Sequence, residues 1–269
     1  MTAFFKVSGS GNDFVALADP PEDPAPERIR AWCRRGVSLG ADGVFSLRRG
    51  PGIAEVSMAY FNADGHPADL CLNGTRCAAQ LAFHLGWADT GSVAVRTAGG
   101  TFGARRLDAR RVALELDAGT SEPRQVAVDL GGTAQHGHAV CVGVPHFLLL
   151  WPGDLDEAPV VELGRRLRRH PVFQPAGTNV SFIRLESGNR LAIRTYERGV
   201  EDETLSCGTG VVAAARLGLA LGRLACPIAA LTRGGFELTV DRDPVTHRFT
   251  LAGDARVVAA GELLDGAEA

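Results

Sequence analysis

Apolar positions along the chain fall into two kinds of run. Most are short and alternating: "VALELD", "RQVAVDL", "HAVCVGV", "NVSFIRL", "FELTVD" and "HRFTLAG" each read as a strand of a few residues. Helical spacing is confined to four places: residues 27–36, "VVELGRRLRRH", and two stretches that each follow a cysteine. The arginines of "VVELGRRLRRH" gather at its C-terminal end, where they complement the dipole of a surface helix. The pattern predicts a chain mostly of short strands with few helices.

The two post-cysteine stretches are versions of one another. "CLNGTRCAAQLAFHLG" (71–86) and "CGTGVVAAARLGLALG" (207–222) agree without a gap at 7 of 16 positions. In each, a glycine follows the cysteine by three residues. Apolar or small residues then recur at helical spacing, as Ala78, Leu81, Ala82 and Leu85 and as Ala214, Leu217, Gly218 and Leu221. That is the stripe of an amphipathic or buried helix, stopped by Gly86 and Gly222 just past the last turn. Each cysteine therefore stands at a helix start. The runs before them also correspond, "VSMAYFNADG" and "LAIRTYERG", each a strand ending in a turn. The cysteines are 136 residues apart in a chain of 269, which is a duplication rather than a solenoid. Two β-rich halves follow, each wrapped on one central helix, with a boundary near "ELDAGTSEPRQ".

Composition narrows the partners. The chain is 45% hydrophobic and 22% charged with a net charge of -3, so no basic field exists to hold nucleic acid or an anionic membrane. A small-molecule partner, neutral or zwitterionic, fits better. "MTAFFKVSGSGNDF" has no signal-peptide pattern and no apolar run is long enough to span a bilayer, so a cytoplasmic protein is expected. Six cysteines without a CxxC suit neither a zinc site nor a disulfide framework, and no metal is expected. Of 28 basic residues only Lys6 is a lysine. A pyridoxal-phosphate enzyme needs a Schiff-base lysine, and Lys6 is poorly placed for one, which weakens the commonest mechanism for amino-acid chemistry.

A thiol at a helix start meets the positive end of the dipole and unpaired N–H groups, which favour thiolate. Either copy alone reads equally well as a tight turn with a buried cysteine. The matched pair suggests more: a thiolate on one face of a carbon can take its proton while a thiol on the other face returns one, inverting the stereocentre. Backbone N–H groups of Leu72, Asn73, Gly208 and Thr209 can cradle a carboxylate and the charge that develops as the carbon ionises. Gly74, Gly208 and Gly210 permit close approach of backbone to ligand.

Seven segments in order, "FFKVSGSGNDFVAL", "LGADG", "YFNADG", "LCLNGTRC", "GVPHF", "GTNVSF" and "YERGVEDETLSCGTG", resemble the diaminopimelate epimerase family of cofactor-independent amino-acid epimerases. The resemblance spans nearly the whole chain. It implies two pseudo-symmetric α/β domains, each a curved sheet or barrel around a central helix, with the active site in the cleft between them. The halves would cover 1–118, with a returning strand at about 253–269, and 119–252. By the same resemblance Cys71 and Cys207 are the acid and base, and Asn12, Asn62, Asn73 and Asn179 hold substrate. Glu197 and Arg198 match a pair that meets the substrate's ammonium and far carboxylate, which suits the arginine fork. His146 and Glu197 would support catalysis. The implied reaction converts LL- to meso-2,6-diaminopimelate for lysine and peptidoglycan synthesis, in a homodimer.

Three positions depart from the family's pattern. Leu72 stands where the family has glycine, Val144 where it has asparagine, and the loop between Glu197 and Cys207 is one residue longer. Val144 offers no side-chain hydrogen bond to a second amino-acid end. It therefore raises the alternative of a racemase for another amino acid, such as histidine. A third reading, a non-catalytic amino-acid-binding or thiol redox protein, stands against the retention of both cysteines.

Overall fold

A computed structural model describes residues 2–52, 54–68, 70–88, 90–119 and 121–268. The chain divides into two compact units, Met1–Glu115 with Ala252–Ala269, and Leu116–Leu251. The strands run from β1 (Thr2–Gly9), β2 (Asn12–Ala18), β3 (Gly43–Arg49) and β4 (Glu55–Asn62) to β5 (Ser92–Thr97), β6 (Gly100–Arg106) and β7 (Arg111–Leu116). They continue with β8 (Arg124–Asp129), β9 (Ala134–Val142), β10 (Val144–Leu150), β11 (Asn179–Glu186), β12 (Arg190–Glu197) and the short β13 (Asp202–Thr204). Next come β14 (Ile228–Thr232), β15 (Glu237–Arg242), β16 (Phe249–Asp254) and β17 (Arg256–Leu263). The helices are α1 (Pro26–Cys33), α2 (Leu72–His84), α3 (Val160–Arg168) and α4 (Gly208–Ala220).

The duplication extends to the order of strand pairing. From β1 to β6 neighbouring strands pair antiparallel, parallel, antiparallel, parallel and antiparallel. From β9 through β10, β11, β12, β14 and β15 the order is the same. One more antiparallel strand flanks each series, β17 on β1 and β8 on β9. Parallel neighbours need a crossover, and the four helices supply them: α1 and α3 for the first parallel pair of each unit, α2 and α4 for the second.

Each unit is layered around its sheet. In the first, Val15 and Leu17 of β2 pack with Ile29 and Trp32 of α1. The alternate residues Phe14 and Ala16, equally buried, point to the opposite face, where α2 lies. In the second, Val180 and Phe182 of β11 pack with Val160 and Leu167 of α3, while Ser181 lies beneath α4. Burial of one such side chain, Ile29 for example, contributes about 2 kcal/mol.

Of the two alternatives for the central helices the structure has the buried one: every residue of α2 from Leu72 to Phe83 is buried, as is every residue of α4 from Gly208 to Gly218. Their polar residues are therefore interior groups that need partners. The helix expected at 27–36 spans Pro26–Cys33. It ends early because Arg34 is extended and Arg35 is drawn to the carboxylates of Asp13 and Asp42. Gly86 and Gly222 do stop the central helices, at φ +68° and +65°. In both, the glycine N–H bonds two residues into the helix (Phe83, 3.3 Å; Leu219, 3.0 Å) and the next N–H bonds beyond it (Ala82, 2.9 Å; Gly218, 3.0 Å).

Candidate active site

Cys71 and Cys207 are the N-cap residues of α2 and α4. Both have extended backbone, φ −138° and −118°, the geometry of a residue that starts a helix. The Cys71 sulfur accepts the Gly74 N–H at 3.4 Å. The Cys207 sulfur lies 3.5 Å from the Thr209 hydroxyl. A Cβ added to Gly74 or Gly210 would meet that unit's cysteine sulfur at 3.5 or 3.4 Å, so each glycine keeps the helix's first turn close to its thiol.

In the first unit, Asn12 opens β2 and Asn73 is the second residue of α2. The structure joins them: Asn73 Nδ2 donates to Asn12 Oδ1 at 2.5 Å. Asn12 Nδ2 donates in turn to Asp42, and Asn73 Oδ1 accepts from Arg76. Asn62 ends β4 in register with Gly43, the neighbour of Asp42. Leu72 is 3% exposed, so its side chain packs inside the unit. Lys6 is paired with Asp13 at 2.6 Å. Burial alone would raise the Asp13 carboxyl, but hydrogen bonds from Arg35 and Lys6 hold it below the usual carboxylate range.

In the second unit, His146 on β10 lies in register with Asn179 on β11. Asn179 Nδ2 donates to the Pro145 carbonyl at 3.2 Å and its Oδ1 accepts the Arg198 N–H at 2.8 Å, which ties β10 to the residue after β12. Glu197 accepts from Thr204 Oγ1 at 2.8 Å, and Arg198 Nη1 donates to the Ala176 carbonyl at 3.1 Å. His146 is 1% exposed, and neither ring nitrogen has a hydrogen-bond partner among the described residues. Burial, reinforced by the Arg198 charge, pushes its pKa down to about 3, so the ring is neutral at physiological pH. Beneath Gly210, Ser181 Oγ and Thr195 Oγ1 are hydrogen-bonded at 2.9 Å.

The longer loop after Glu197 is tied down by its own residues. Glu201 accepts the Gly199 N–H and pairs with Arg168 at 2.9 Å and Arg169 at 3.1 Å, while its carbonyl accepts from Tyr196 Oη. Val144 opens β10 directly after Gly143, whose φ of +68° makes the turn from β9.

Several residues in this environment escape a reading by motif. Asp42, Arg76 and Thr204 lie inside recognisable segments but have no periodicity or spacing that marks a role. The tenth position of the duplicated stretch is another case. Gln80 donates to the Asp108 and Ala109 carbonyls, and Arg216 to those of Ala118, Cys141 and Ser121. Both are buried polar residues serving backbone carbonyls, and only their shared offset from a cysteine could reveal them. Among the described residues no group of three or more His, Cys, Asp and Glu could hold a metal ion, and no helix is long and apolar enough to cross a membrane.

The fold is shared with several solved structures. A PhzF-family phenazine biosynthesis protein from Enterococcus faecalis superposes with a TM-score of 0.73 at 14% identity, covering 98% of this chain and 99% of that one. A probable proline racemase from Agrobacterium radiobacter K84 superposes with a TM-score of 0.72 at 16% identity, covering 98% and 93%. Sequence narrows the class further. The family model for diaminopimelate epimerase matches residues 4–120 and 138–258. Diaminopimelate epimerase of Aquifex aeolicus is 35% identical over 97% of both chains, and that of Methanothrix thermoacetophila 37% identical over 86% of both. The chain belongs to the diaminopimelate epimerase family.

Proposed function

We propose that this chain epimerises LL-2,6-diaminopimelate to the meso form by two-base proton transfer, without a cofactor. One observation carries the reading: cysteines stand as N-caps of two corresponding helices in two corresponding units. A thiolate removes the Cα proton and becomes a thiol, leaving a carbanion delocalised into the carboxylate. The other thiol delivers its proton to the opposite face and becomes a thiolate. The first N–H groups of α2 and α4 are the donors suited to the carboxylate as its charge grows.

The residues around each cysteine fit supporting parts. Asn12, Asn62, Asn73 and Asn179 supply amides for the substrate's polar ends, Glu197 faces its ammonium, and Arg198 its far carboxylate. Neutral His146, whose two ring nitrogens have no partner among the described residues, can accept or donate a hydrogen bond beside the reacting centre. The same reading makes the protein a cytoplasmic homodimer of the lysine and peptidoglycan route.

The test is deuterium exchange at Cα. The reduced protein in D2O should wash label into meso-diaminopimelate, and no exchange would sink the proposal. Val144 keeps a second substrate in view, because it has no side-chain polar atom for a distal amino-acid group. Faster exchange into a monocarboxylic amino acid such as histidine than into diaminopimelate would favour that substrate.

A further inference from the structure

Arg76 is the least expected residue of the first unit. Its side chain is fully buried in α2, yet no carboxylate forms an ion pair with it among the described residues. Burying a guanidinium without an ion pair is costly, and an apolar residue of similar volume would be cheaper in stability alone. Its bonds are specific: Nη2 donates to Asn73 Oδ1 at 2.6 Å and to Ser10 Oγ at 3.1 Å, and Nε to the Asp254 carbonyl at 3.4 Å.

Those bonds impose a direction. A guanidinium only donates, so the oxygen of the Asn73 amide must face it. The Asn73 NH2 is then turned to Asn12, whose oxygen accepts it, and the Asn12 NH2 is turned to Asp42 Oδ2 at 3.1 Å. An ionised carboxylate only accepts, and Arg35 holds this one by its other oxygen at 2.7 Å. The two amides are thus clamped between an obligate donor and an obligate acceptor. Released at either end, each amide could turn by 180° and exchange its donor and acceptor faces. The clamp leaves Asn12 with one N–H and one oxygen lone pair outside the chain of bonds, in a fixed sense.

We propose that Arg76 is a positioning residue for the substrate amides of this unit, setting the orientation of Asn73 and through it Asn12, with Asp42 as the opposite anchor. The inference rests on the epimerase reading for the ligand and adds to it how the ligand's amides are oriented. The second unit has no counterpart, since gapless alignment places Val212 where Arg76 stands.

Lysine also only donates, whereas glutamine both donates and accepts. Arg76→Lys should therefore keep KM for LL-diaminopimelate within about threefold of wild type, and Arg76→Gln should raise it about tenfold, the size of one lost or inverted hydrogen bond. The change should fall on KM more than on kcat. Asp42→Asn, at the partly exposed end, should raise KM similarly, and combining it with Arg76→Gln should add little, because one release already frees the amides. The side-chain amide resonances of Asn12 and Asn73 should shift in both single variants, independently of turnover. If Arg76→Gln fails to fold, Asp42→Asn alone decides. Wild-type KM with unshifted Asn12 and Asn73 resonances in Asp42→Asn, or additive effects in the double variant, would overturn the clamp. An inactive wild type with shifted amide resonances in the variants would instead refute the epimerase reading and leave the clamp standing.

Discussion

The helix starts of α2 and α4 share backbone, cysteine, glycine and stop signal, yet their surroundings are built differently. Around α2 lie Lys6, Asp13, Arg35, Asp42 and Arg76, joined by hydrogen bonds and ion pairs. In the second unit the Asn179 amide, the neutral His146 ring and the Ser181–Thr195 hydroxyl pair stand with Glu197 and Arg198, and Arg216 is buried within α4 itself. Asp13 and His146 each precede a fully buried phenylalanine, Phe14 and Phe147, so the contrast appears at matching places in the two units. A duplicated backbone holds the chemistry that both copies need. Its surroundings are free to become a clamp of charges on two amides in one unit and a buried, uncharged imidazole beside an amide in the other.

The most severe test of this equivalence is removal of each thiol. Cys71→Ser and Cys207→Ser should each lower epimerisation on the order of 10³-fold, measured as Cα deuterium exchange and product formation. Near wild-type turnover by either variant would show that the units are not an acid and base pair.

The tenth repeat position separates the units by stability. Arg216→Met removes a buried cation from three carbonyls and should cost about 3 kcal/mol, whereas Gln80→Leu frees two carbonyls near solvent and should cost about 1 kcal/mol. Urea unfolding of both variants checks the difference, and equal costs would remove it.

Acid should distinguish Asp13 from His146. The folded-state pKa of His146, about 3, lies below its ordinary 6.5, so the unfolded chain binds the extra proton between those values. Its contribution to stability is complete above about 6.5 and is lost as pH falls towards about 3. Asp13 is also depressed, from 3.8, so its contribution is present above that value and lost below it. His146→Gln should flatten the upper part of the acid unfolding profile, and Asp13→Asn only the lower part. A profile unchanged by His146→Gln would remove the buried neutral imidazole from this account.

The mildest comparison is at the helix stops. A Cβ at Gly86 or Gly222 meets nothing within 4 Å, so alanine there suffers only the left-handed backbone, about 1 kcal/mol at each. Equal shifts in Tm from Gly86→Ala and Gly222→Ala would support the stops as one device used twice, and unequal shifts would count against it.

What could be read before any coordinates were seen follows from how local each signal is. The starts and stops of α2 and α4 are written within a few residues, as a cysteine before an apolar run and a glycine after it, and both ends stand where expected. The strands before them, ending at Asn62 and Glu197, are equally local. The sequence left a one-faced and a fully buried central helix both open, because a stripe of Ala and Leu reports one face only, and Arg76 and Gln80 are polar residues that a wet surface would also suit. The early end of α1 was hidden for a similar reason. Arg35 leaves the helix for carboxylates 22 and 7 residues away, and no window of helical spacing contains that bargain. Asp42 shows the limit most plainly: its motif could be quoted, but its role depends on an asparagine 30 residues earlier.

The pairing of β17 with β1, Leu263 opposite Thr2, sets an order on the birth of the molecule. Residues 116–251 form a contiguous unit and can leave the ribosome complete, whereas the first unit waits for β17, which is made after them. During synthesis, the unit that holds β1 closes after the unit that holds β9.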